Sequence, residues 1–126
     1  MELEKDYILR MIKDLTKSIS YIILGKSEIE YDLPKENEYS RSDYLYIKIV
    51  ELANCGKINE AEDMLFREID TSNMREFEMA IAFYLYLNDF DDNYLEENNY
   101  YRDEISEGIK SICKEFGVSS MVDFLF

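Results

Sequence analysis

Histidine and tryptophan are absent from this chain. The first absence removes imidazole acid–base chemistry, Ser-His and Cys-His nucleophile pairs and the HExxH zinc site in one step. Proline occurs once, at Pro34, and glycine four times. That scarcity argues against an all-β architecture punctuated by turns and leaves room for long uninterrupted helices. No glycine-rich phosphate loop is present. The two cysteines, Cys55 and Cys113, form no C-x-x-C pair, so reduced thiols on the core faces of helices are expected. No apolar run approaches the about 20 residues of a transmembrane span. The acidic start, without a basic n-region, does not read as a secretory signal. A cytoplasmic, non-enzymatic protein without cofactor or metal is therefore expected.

The chain has 126 residues, 47% of them hydrophobic and 33% charged. Those proportions suit one helical domain over residues 1–126, long enough to bury about two-thirds of its unfolded surface. Its formal net charge is −14, which opposes direct binding to nucleic acid or to an anionic membrane. The charge is uneven. Residues 1–26 carry five basic and four acidic side chains, net +1, leaving −15 on the remainder.

Periodicity divides the chain into an amphipathic N-terminal helix (1–25), a linker (26–40) and a helical body (41–126). The first helix is expected from Glu4 to Leu24. Its residues Ile8, Ile12, Leu15, Ile19 and Ile22 are spaced 4-3-4-3, an a/d seam with Met11 and Ile23 beside it. Such a seam satisfies either a neighbouring helix of the same chain or a second copy, and spacing alone does not separate the two. It is the candidate self-association seam. Gly25 is placed to end the helix. In the linker, Ile29, Tyr31 and Leu33 alternate with polar residues, which suits a short extended segment lying across helices. Ser40 or Ser42 is positioned to cap the next helix.

Three helices are then expected at Tyr44–Cys55, Ile58–Ile69 and Met74–Leu87. In the second of these, Ile58, Ala61 and Leu65 share a core face, while Glu60, Glu62, Asp63 and Arg67 mark the wet side. The third is apolar around more than half its circumference and is expected to be the most buried. Asp89–Asn99 reads as an acidic loop. Its opening superficially suits calcium, but Tyr94 and Tyr100 occupy the positions that need glycine and glutamate. A fifth helix is expected from Tyr100 to Phe116, and the apolar tail from Val118 has room for one last helical turn.

The segment Glu51–Leu65, with Gly56 at its turn and Ile58, Ala61 and Leu65 after it, resembles the middle of a tetratricopeptide repeat. It departs from that family at Ile49 and Glu68, and no second copy follows at a 34-residue spacing. The resemblance implies an antiparallel helical hairpin and a groove lined by the second and fourth helices, where Tyr46 and Tyr86 project. The N-terminal stretch Asp6–Ile12 and its helix also resemble a family of small uncharacterised proteins of Gram-positive bacteria, to which no activity is assigned.

The expected fold is an all-α bundle of five to six helices containing a tetratricopeptide-like antiparallel hairpin. The expected function is a protein-interaction module that self-associates, as a homodimer, through its N-terminal helix. The alternative is an acidic protein that mimics nucleic acid and binds a basic partner protein.

Overall fold

The computed structural model describes residues 2–126, with side chains described from Asp6 onward. Among the described residues every regular element is helical and there is no strand. The chain runs α1 (Glu2–Ile19), α2 (Arg41–Asn54), α3 (Ile58–Glu68), α4 (Met74–Asn88), α5 (Asp92–Glu97), α6 (Arg102–Glu115) and α7 (Ser119–Val122). It is an all-α bundle. A π-helical turn, Ser20–Leu24, prolongs α1, and 3₁₀ turns occupy Glu36–Glu38 and Asp123–Leu125.

Local chemistry accounts for most of the boundaries. Gly25 ends the first helix at φ 69°, a left-handed conformation that costs a residue without Cβ little. Ser40 caps α2: its hydroxyl accepts from the Asp43 N–H, while the Asp43 carboxylate accepts from the Ser40 N–H at 2.9 Å. That reciprocal capping box starts α2 three residues before apolar periodicity alone places it. Cys55 and Gly56 turn the chain so that α2 and α3 form an antiparallel hairpin.

The helix count exceeds the five to six read from periodicity because Asp89–Asn99 is not all loop. Asp91 accepts the Tyr94 N–H at 2.8 Å and starts α5, whose Leu95 is fully buried. One apolar side chain suffices to dock six residues, too few for a 3.6-residue period to register.

α4 is the axis of the bundle, packed against α1, α2 and α6. Its Phe77, Met79, Ala80, Ile81, Phe83, Tyr84 and Leu87 are all buried. α1 lies on α4 and α6, with Ile12, Leu15 and Ile19 in the core and Ile8 and Ile22 half-buried against it. The 4-3-4-3 seam is thus largely covered by helices of its own chain, and the surface left outward meets it only at its margin, at Leu15 and Ile22. Cys113 is buried in α6, but Cys55 is exposed, because the turn at the end of α2 swings it out of the core face.

Candidate functional site

Residues 26–34 form a strap across α2 and α4. Half-buried Ile29 and Tyr31 alternate with exposed Glu28, Glu30 and Asp32, as in an extended segment resting on one edge. Three buried carboxylates near the starts of α2 and α4 organise its anchorage. Glu78 accepts from Lys26 Nζ at 2.9 Å and from the Glu30 N–H at 2.7 Å. Asp43 accepts from the Tyr31 hydroxyl at 2.5 Å and from Arg75 Nη2 at 3.1 Å, and Arg75 also stands 4.6 Å from the Tyr31 ring centroid. Glu76, 1% exposed, accepts from Arg41 Nη1 at 2.8 Å, Ser42 Oγ at 3.0 Å and the Asp70 N–H at 2.8 Å.

Asp43 and Glu76 sit in the first turns of α2 and α4, where the dipole favours negative charge, and the acceptor capacity of all three carboxylates is largely used. Burial pushes Asp43 upward, but the bonds from Tyr31, Ser40 and Arg75 outweigh it and hold the carboxyl below its ordinary value. Burial and the Asp43 carboxylate raise the Tyr31 phenol. The cluster fastens a strap; its occupied oxygens leave little for a ligand.

Tyr46 and Tyr86 line one cleft of about 510 Å³ between the strap and α4. The Tyr31 and Tyr46 ring centroids are 5.0 Å apart, and the Tyr86 hydroxyl donates to Asn54 Oδ1 at 2.6 Å. Burial raises the Tyr46 phenol, with Tyr86 adding to the shift.

A second surface combines the outward side of α1 with the C-terminal segment. A cleft of about 330 Å³ is lined by Met11, Leu15, Leu125 and Phe126, with Asp14, Glu107 and Lys110 at its polar edge. A neighbouring one of about 310 Å³ is lined by Lys17, Tyr21, Ile22, Phe124 and Leu125. They meet at Ser18 and Leu125. Tyr21 is 72% exposed and Phe124 76%, which places large aromatic area in water.

Between α3 and α6 lies an acidic cleft of about 440 Å³, edged by Glu62, Asp63, Glu104, Glu107 and Glu115. Glu62 was expected on the wet side of α3. It is instead half-buried and accepts from the Tyr84 hydroxyl at 2.6 Å and the Tyr100 hydroxyl at 3.1 Å. Both tyrosines are fully buried, and their hydroxyls draw the carboxylate inward.

Glu62→Ala is accordingly expected to cost about 1–3 kcal/mol, because two buried hydroxyls lose their acceptor. Burial raises the Glu62 carboxyl above its ordinary value, against the two phenol bonds, with Glu104 and Asp63 adding to the rise. A carboxyl raised in the folded state binds more protons there than in the unfolded chain. Its contribution to stability is therefore fully present below the ordinary carboxylate pKa and is lost as pH rises through the folded value. Urea midpoints of wild type and Glu62→Gln, measured from about pH 4 to about pH 7, should diverge in favour of the variant as pH rises. Parallel curves would contradict the assignment.

Among the described residues, no three Cys, Asp or Glu side chains are arranged to hold a metal ion. Burial, with Asp123 adding, pushes the Cys113 thiol up to about 11, away from nucleophilic use at neutral pH. Among the described residues, no helix is long and apolar enough to cross a membrane.

No curated protein and no solved structure matches the chain. The model of one family does match, over residues 2–117. That span contains α1 to α6, including the strap, the tyrosine cleft and the carboxylate–tyrosine cluster, and stops before α7. The chain belongs to DUF6483, a family of unknown function.

Proposed function

We propose that this protein is a non-enzymatic protein-interaction module of the bacterial cytoplasm that pairs with a second copy of itself through the outward side of α1 and the C-terminal aromatics. The observation that carries the reading is the joined pair of apolar clefts flanked by Tyr21 and Phe124, 72% and 76% exposed. A contiguous apolar surface left in water is the usual mark of a partner site. Charge points to the second copy. On a chain of net −14, the lining of these clefts balances Lys17 and Lys110 against Asp14 and Glu107. Two such faces meet without opposing the acidic bodies, and each lysine is offered a carboxylate of the other copy. The antiparallel hairpin of α2 and α3 is the tetratricopeptide-like part of the module.

Light scattering at micromolar concentration is expected to give a dimer for the wild type and a folded monomer for Tyr21→Ser/Phe124→Ser. Ile12→Glu/Ile19→Glu should unfold instead, since both side chains are fully buried against the chain's own core. A monomeric wild type would overturn the dimer. The acidic cleft between α3 and α6 favours a second reading, an acidic mimic of nucleic acid that holds a basic protein. A monomer that captures a basic protein with steep salt dependence, indifferent to Phe124→Ser, would favour it.

A further inference from the structure

We infer that the cleft between the strap and α4 is a docking site for a basic side chain, lysine or arginine, of a protein partner. Three aromatic rings, Tyr31, Tyr46 and Tyr86, line it. Around them stand the carboxylates of Glu28, Glu30, Asp32 and Asp89, and among the described residues no lysine or arginine shares that lining. Carboxylates on so acidic a chain would by themselves be a solvated surface. The tyrosines decide the chemistry, because an ammonium or guanidinium beside several π faces is attracted by each ring's quadrupole. Tyr31 already carries the Arg75 guanidinium 4.6 Å from its centroid, which leaves Tyr46 and Tyr86 to meet the incoming cation.

The site is also held in place before any partner arrives. Asp43 fixes the Tyr31 hydroxyl, Asn54 fixes that of Tyr86, and Glu78 pins the strap through Lys26 and the Glu30 N–H. A cation entering between fixed rings need not order them, which removes part of the entropic cost of binding. The Tyr46 hydroxyl has no protein partner among the described residues and is free to receive a hydrogen bond from the ligand. The cleft has an orientation too. The cavity adjoining it across Ile29 and Leu85 holds Lys13 and Lys17 beside Glu28 and Asp89, so the cation sits at the tyrosine end, away from those lysines.

Amide NMR shifts of the full chain test this with three probes: a blocked tripeptide Ala-Lys-Ala, the same peptide with the lysine acetylated, and spermidine. The lysine peptide should shift amides of the strap and of α2 and α4 around Tyr46 and Tyr86. Tyr46→Leu should weaken that binding about tenfold, and the acetylated peptide should leave the spectrum unchanged. Exposed Asp89→Asn and Glu30→Gln, which leave the core untouched, should each weaken binding and flatten its salt dependence. Equal shifts from the acetylated peptide, unaltered binding by all three variants, or shifts centred on the acidic cleft of α3 and α6 would overturn the site. Spermidine binding there more tightly than the peptide would overturn the protein partner in favour of a free polyamine.

Discussion

Replacing Arg102 by methionine is expected to lower stability by about 3–5 kcal/mol, because it removes the partner of Asp92, itself a quarter exposed, and strands three further acceptors at once. The side chain is 6% exposed, and its planar fork serves four acceptors. Nε donates to Asp92 Oδ1 at 2.8 Å, Nη1 to the Asn88 carbonyl at 2.6 Å and to Asn88 Oδ1 at 2.9 Å, and Nη2 to the Phe90 carbonyl at 2.6 Å. One carbonyl closes the last turn of α4, whose C=O groups have no following helical N–H to accept from, and the other lies in the turn between α4 and α5. Arg102 therefore closes α4, holds the start of α5, and through Asn88, whose side chain donates to the Leu9 carbonyl at 3.2 Å, steadies α1. Lysine should recover only part of the loss, because a single ammonium does not span acceptors set out for a fork. Urea denaturation followed by far-UV dichroism measures both variants. A methionine variant with the wild-type midpoint would show that water replaces the guanidinium at no cost.

Gly108→Ala should destabilise by about 1–3 kcal/mol, although the same change in an open helix interior gains up to about 1 kcal/mol. A Cβ at this position would lie 2.4 Å from Cε1 and Cζ of Tyr84 and 2.5 Å from its hydroxyl. The ring has little freedom to retreat: Tyr84 is fully buried, bonded to Glu62 at 2.6 Å and packed edge-on against Phe83 at 5.6 Å. Glycine is thus the space into which the tyrosine fits, and α4 and α6 approach each other by that amount. A double-mutant cycle with Tyr84→Leu separates this from any general effect, since the alanine should be tolerated once the ring is gone. A single variant with a raised midpoint would mean that α6 shifts freely and that the contact does not set the helix spacing.

Neither position announces itself in the sequence. Arg102 stands among acidic residues and reads as a surface charge; Gly108 reads as a mild defect in a helix. Both acquire their roles from residues far along the chain, Asn88 and Phe90 for one and Tyr84 for the other. Glu62 belongs with them. Its place on α3 next to Asp63 assigns it to solvent by period, yet two tyrosines, one from α4 and one from the turn before α6, claim it.

What the sequence determined by itself was the central apolar stripe of the longer helices. The spacing of Ile12, Leu15 and Ile19, and of Ile58, Ala61 and Leu65, names side chains that are indeed buried. Gly25 and Ser40 mark ends that are local hydrogen-bonding events within a few residues. The tertiary structure alone decided what covers each face: α4 and α6 over the α1 seam, the strap beside Tyr46 and Tyr86, and buried partners for Asp43, Glu76 and Glu78. The physical reason is range. Helical period and capping arise from contacts three or four residues apart, whereas Lys26 meets Glu78 across 52 positions and Tyr100 meets Glu62 across 38. A carboxylate's burial depends on whether such a distant donor arrives.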